Sequence, residues 1–134
     1  MHSTNYTNTF IEVAANCKAD RGKIPPEKQE KTIARLQYEL IHEHPYQYTS
    51  DEVIFAVYAT KNGIAPAERT AKQAEFFAKG QPCLRSSPLG KSYGWGIHFD
   101  NAAKVAIYGC ESVEYNRLQS DPSLHHVKAM KSAK

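Results

Sequence analysis

Cysteine is scarce in this sequence: Cys17, Cys83 and Cys110 are the only three in a chain of 134 residues. An odd count with no C-x-x-C pair excludes a disulfide framework and a zinc ribbon, and it fits a reducing, cytoplasmic setting. Long apolar runs are missing too. None approaches the ~20 residues of a membrane span, and mean hydropathy is −0.59. The first residues, Met1 to Tyr6, carry neither a basic n-region nor an apolar h-region, so no secretory signal and no membrane partner are expected. Charge of one sign is not in excess. Seventeen Lys and Arg against fourteen Asp and Glu leave +3, which argues against a dedicated nucleic-acid binder. Eight tyrosines and five phenylalanines argue against disorder as the main state. What remains is a single globular domain over residues 1–134, because so short a chain seldom builds two cores. A short basic C-terminal tail holds Lys128, Lys131 and Lys134.

Asn8 to Ala14 is rich in β-branched and aromatic residues and predicts a strand. Asn16 to Pro26 reads as a polar surface loop. Ile33, Leu36, Leu40 and Ile41 share one helical face, and Pro45 ends that helix near His44. Val53 to Ala59 is apolar on all sides and β-branched, which by propensity alone is a strand. Ser50 as N-cap, Asp51 and Glu52 in the first turn and Asn62-Gly63 at the end predict a buried helix instead. Pro66 opens a third helix over Ala67 to Lys79. Gln81 to Ser92 is a loop, Ser112 starts a helix reaching Gln119, and His125 to Met130 forms a last strand. The expected fold class is α+β, a single-layer antiparallel sheet of three to four strands with helices packed on one face.

Tyr93 to Phe99 and Lys104 to Tyr108 predict a β-hairpin. An even turn mixes apolar with polar side chains on each face. An odd turn, Asn101-Ala102-Ala103, sets Ile97 opposite Ile107 and Phe99 opposite Val105, and this register is the expected one. One face is then fully apolar. The other carries Gly94, Gly96, His98, Lys104, Ala106, Tyr108 and Cys110. Glycine inside a strand marks close approach of a ligand or another backbone, or a gap that an aromatic neighbour such as Tyr108 fills.

The loop before this hairpin holds Cys83-Leu84-Arg85-Ser86-Ser87. Arg85 offers a charged planar fork for a carboxylate or phosphate, and Ser86 and Ser87 add donors. Cys83 is a candidate nucleophile with His98 as its base, although the Cys-x5-Arg spacing of a phosphatase loop is absent and a free cysteine is often an inert core residue. His42 and His44, and the adjacent His125 and His126, lack the i,i+4 spacing of a metal pair, so no metal and no cofactor is expected. Asp51 and Glu52 are explained by helix capping. Tyr46 and Tyr48 alternate like strand residues and either stack on a base or pack their loop onto the core.

Asn5 to Val13, Ile24-Pro25-Pro26, Pro45 to Val53, Lys79 to Pro88, Tyr93 to His98 and Glu111 to Tyr115 together resemble a family of small bacterial proteins of unknown function, over nearly the whole chain. The resemblance implies a bacterial, cytosolic, single-domain protein, and it transfers no functional residue. Ala102-Ala103 stands at the hairpin tip where that family is expected to carry glycine. Three functional readings follow. The first is binding of a small anionic ligand by Arg85, Ser86 and Ser87 with the Gly94, Gly96, His98 and Tyr108 face. The second is a cysteine-dependent enzyme using Cys83 and His98. The third is a module whose glycine-rich face docks a protein or a second copy as a homodimer.

Overall fold

The computed structural model describes residues 1–132; Lys134 of the basic tail lies outside them. Four strands, β1 (Thr9–Glu12), β2 (Trp95–Phe99), β3 (Val105–Gly109) and β4 (His125–Lys128), form one sheet in the order β3-β2-β1-β4. Ile97 stands opposite Ile107 and Phe99 opposite Val105, the register that hydrophobic alternation predicts. The turn is closed by the Asp100 carboxylate, which accepts from the amides of Ala102 and Lys104 at 2.9 Å. Ala103 takes the left-handed position that a three-residue hairpin loop requires, at φ 64°.

The sheet is mixed rather than purely antiparallel. β1 pairs antiparallel with β2 but parallel with β4. The reason is the helix α5 (Val113–Gln119) between β3 and β4. It returns the chain to the end of the sheet where β3 began, so β4 must run in the direction of β3 and β1. α5 also puts a helix on the second face: Tyr115 meets Phe10 edge-on, with ring centroids 5.0 Å apart. The helices therefore cover both faces, not one.

The apolar face of the hairpin packs on α1 (Ile33–His42), α2 (Ser50–Lys61) and the one-turn α4 (Pro88–Lys91). α1 buries Ala34, Gln37, Tyr38 and Ile41. This stripe is rotated from the one that Ile33, Leu36 and Leu40 predict, and Ile33 is left 46% exposed. The rotation depends on a polar partner: Gln37 is buried because the Ser87 hydroxyl donates to its Oε1 at 2.5 Å.

α2 is helical as its termini predict, with one correction. Thr49, not Ser50, is the N-cap, and it forms a capping box with Glu52. The helix is apolar all round because it separates two cores. Val53 joins the main cluster with Ile41, Leu84 and Ile97, while Phe55 and Ala59 meet Phe77 of α3 (Arg69–Phe77). Among the described residues no helix is long and apolar enough to cross a membrane.

Candidate functional site

The loop between α3 and β2 is held by its own hydroxyls. The Cys83 carbonyl accepts from Ser86 N at 3.0 Å and from Ser86 Oγ at 2.8 Å, closing a 3-10 turn over Leu84–Ser86. Ser87 caps α4 by accepting from Leu89 N at 3.1 Å. Leu84 and Leu89 are driven into the core, 1% and 0% exposed. Anchored at both leucines, the loop forms one wall of a groove of about 620 Å³ whose other walls are α1, α2 and Phe76. Ile33, Ile54, Val57 and Tyr58 give it an apolar surface, while Gln37, Lys61, Asn62, Cys83, Ser86 and Ser87 supply polar groups.

Three residues singled out from the sequence, Cys83, Ser86 and Ser87, line this groove. Arg85 does not. Successive side chains of a 3-10 turn project about 120° apart, and Arg85 leads away to β4. Its Nε donates to the Lys128 carbonyl at 2.9 Å, and its own carbonyl accepts from Met130 N at 2.8 Å. Cys83 Sγ lies 3.2 Å from the Tyr6 hydroxyl. Burial, and next the contact with Cys83, pushes that phenol up to about 12. Tyr6 packs edge-on against Phe99, centroids 5.3 Å apart. His98 precedes Phe99 in β2 and therefore points to the opposite face. The sheet thus stands between Cys83 and His98, and the structure does not bring them together.

The glycine-rich face is filled rather than open. A Cβ at Gly96 would stand 2.6 Å from Phe10 Cζ and 2.6 Å from Tyr115 Cε2, so these two rings occupy the space, not Tyr108. Gly94 precedes β2 and backs onto the Arg21 carbonyl at φ 80°, which only glycine tolerates without strain. His98 and Tyr108 do meet, through a residue that the sequence did not assign to them. Tyr46 Oη lies 2.7 Å from His98 Nδ1 and 2.9 Å from Tyr108 Oη. The clue was the strand-like spacing of Tyr46 and Tyr48: the segment pairs with the edge of β3, Tyr46 N donating to Val105 O at 2.8 Å and Val105 N to Tyr48 O at 2.9 Å. Burial, and then the Tyr108 hydroxyl, raises the Tyr46 phenol far above its ordinary value.

Burial pushes the His98 imidazole below its ordinary 6.5, against the opposing pull of Asp100 and Asp121. The folded protein therefore takes up this proton less readily than the unfolded chain. Any stability linked to His98 is intact above 6.5 and is lost as pH falls through 6.5 toward the lower folded value. Between about pH 7 and about pH 5, the urea midpoint of the native protein should fall more steeply than that of His98→Gln. Parallel curves for the two proteins would refute this assignment.

Fold and groove define a small α+β domain with a cleft of about 620 Å³ among its helices. The chain belongs to the family of unknown function DUF6157, which it matches over residues 1–134, its whole length. No curated protein and no solved structure matches it.

Proposed function

We propose that this protein binds a small ligand with an apolar body and one anionic end, held in the groove between α1, α2 and residues 81–88. The observation that carries this reading is the groove itself. Its volume of about 620 Å³ falls within the span typical of small-molecule sites, and apolar walls with a few polar groups are the composition that such sites use. Ile54, Val57, Tyr58 and Phe76 would hold the apolar body. The anionic end is assigned to Lys61, whose Nζ among the described residues reaches only the Lys31 carbonyl, at 3.0 Å. A carboxylate or sulfonate makes a stronger, charge-assisted bond to that ammonium than a neutral carbonyl does. Ser86 and the buried Ser87–Gln37 pair supply the directional contacts. Arg85 takes no part. The same reading places the protein in a bacterial cytoplasm: its three cysteines are free thiols, as a reducing compartment keeps them, and the bacterial source is what the family resemblance implies.

The test uses anilinonaphthalene sulfonate, an aromatic anion of suitable size, as the probe. Saturable fluorescence enhancement by the folded protein is expected. Lys61→Glu should weaken it about tenfold by reversing the charge at the anionic end. Ile54→Trp should abolish it by filling the cleft, and Arg85→Ala should leave it unchanged. Circular dichroism confirms that each variant is folded. Absence of saturable binding, or equal binding by Lys61→Glu and Ile54→Trp, would overturn the proposal.

A further inference from the structure

The edge of β3 carries a separate inference, independent of the helical groove. In an antiparallel ladder, alternate residues point their N–H and C=O groups toward the neighbouring strand and away from it. Cys110 N donates inward to Gly94 O at 2.9 Å, so Val105, Ile107 and Gly109 face outward. The chain already uses the first of these: Tyr46 and Tyr48 pair with both backbone groups of Val105. Next along the edge, the N–H and C=O of Ile107 and the N–H of Gly109 have no partner among the described residues. Such groups are a template for a further strand.

The edge is also bounded. At one end the 45–49 segment blocks it. At the other, the Gly109 carbonyl is taken by Ser112 N at 2.9 Å and Ser112 Oγ at 2.7 Å, while Gly22 covers Gly109 on the Trp95 face, held by its N–H bond to Glu111 Oε1 at 2.9 Å. Between these stops runs a groove of about 470 Å³ whose lining includes His42, Pro45, Tyr108, Glu111 and Glu114. At a rise of ~3.4 Å per residue, the stretch accommodates a peptide segment of about three residues. The two carboxylates stand at the Gly109 end only. The amide of Gly22 holds the Glu111 carboxyl below the ordinary carboxylate range, so it is charged at neutral pH.

We infer that the open edge of β3 takes a short extended segment of a partner polypeptide, antiparallel to β3, with a cationic group against Glu111 and Glu114. The charge sets the direction. A strand antiparallel to β3 begins at the Gly109 end, where its N-terminal amine or a leading lysine side chain meets the carboxylates. It ends against Tyr46. Affinity comes from the main-chain bonds to Ile107 and Gly109, and orientation from the acidic end.

The probe is a hexapeptide of alternating lysine and valine with a free N-terminus, titrated into the isotopically labelled protein. The amides of Ile107 and Gly109 should shift, and their hydrogen exchange should slow about tenfold. A peptide N-methylated on the amides that face β3 should not bind. Glu114→Lys, a substitution of an exposed side chain, should weaken binding at least about fivefold. Loss of binding on acetylating the N-terminus assigns the cation to the amine, and loss on replacing the lysines assigns it to the side chain. Binding indifferent to both changes, equal binding of the N-methylated peptide, or shifts confined to other residues would overturn the inference. So would protection of Ile107 that grows with protein concentration in the absence of peptide, since a second copy would then occupy the edge.

Discussion

Gly96→Val is expected to destabilise the protein by about 3 kcal/mol or more, read as a fall in the urea midpoint, because it overpacks a point of the sheet already filled by two rings. The added Cβ alone would lie 2.6 Å from both Phe10 Cζ and Tyr115 Cε2. Neither ring can withdraw. Phe10 is 0% exposed on the central strand β1 and Tyr115 is 4% exposed, and the Tyr115 hydroxyl accepts from Val13 N at 3.0 Å, fixing the ring at its far end. Valine's β-branch restricts the rotamers with which it could evade them. The cause is separable from a general intolerance of the strand. In Phe10→Leu the branched side chain frees the ring's tip, so the double variant with Gly96→Val should be more stable than the sum of the two single losses by about 1 kcal/mol or more. Strict additivity, or a loss below about 0.5 kcal/mol for Gly96→Val alone, would show that the rings do not own this space.

Asp51→Ala should cost a similar amount, about 3 kcal/mol, for a different reason: it leaves buried donors without an acceptor. One carboxylate oxygen accepts from Thr4 N and Thr4 Oγ1, both at 2.7 Å, and the other accepts from Ser3 Oγ at 2.8 Å. Thr4 is 5% exposed and Asp51 is 5% exposed, so water cannot readily replace the lost partner. The reciprocal bond, Asp51 N to Asn5 Oδ1 at 2.9 Å, ties the same segment to the first turn of α2. Residues 3–5 are thereby held as an outer clasp on α2. Hydrogen exchange at Thr4 N should rise in the variant well before global unfolding. Asp51→Asn, which keeps one acceptor for Thr4, should lose less than half as much. An alanine variant as stable as the native protein, with Thr4 still protected, would show that the clasp contributes nothing.

Asp51 also marks how far the sequence could be read. Its position in the first turn of α2 was legible, because capping signals are local: Thr49, Glu52 and Asn62 lie within the helix or one residue outside it. That its two oxygens serve residues 3 and 4 was not legible, since nothing local links positions 48 and 47 residues apart. Gln37 is a similar case. By periodicity α1 turns Ile33, Leu36 and Leu40 inward, yet the core takes Gln37, because Ser87 on a distant loop satisfies its carboxamide. A polar residue reads as exposed until its partner is known. The β3–β2 register was legible to the residue, because a one-residue slip would expose an entire apolar face. The parallel pairing of β4 was not, since strand direction depends on where α5 carries the chain.

For the candidate site, the sequence reading joined the 83–87 loop to the glycine-rich face of the hairpin, whereas Cys83, Ser86 and Ser87 line the groove among the helices. Adjacency along the chain suggested that Arg85 and His98 share one pocket. Strand alternation and the 3-10 turn send them apart, Arg85 to the Lys128 carbonyl and His98 to Tyr46. The sequence by itself determined the four strands, the longer helices and which residues of the hairpin share a face, because these follow from backbone periods of 2 and 3.6 residues; it placed the cap of α2 one residue late and read the one-turn α4 as loop. Only the tertiary structure decided that Phe10 and Tyr115 fill the space above Gly96, that a cleft lies among the helices, and that beyond Val105 the outer edge of β3 pairs with no other strand among the described residues. Those outcomes depend on how whole elements pack against one another, and no period within a single element encodes the packing.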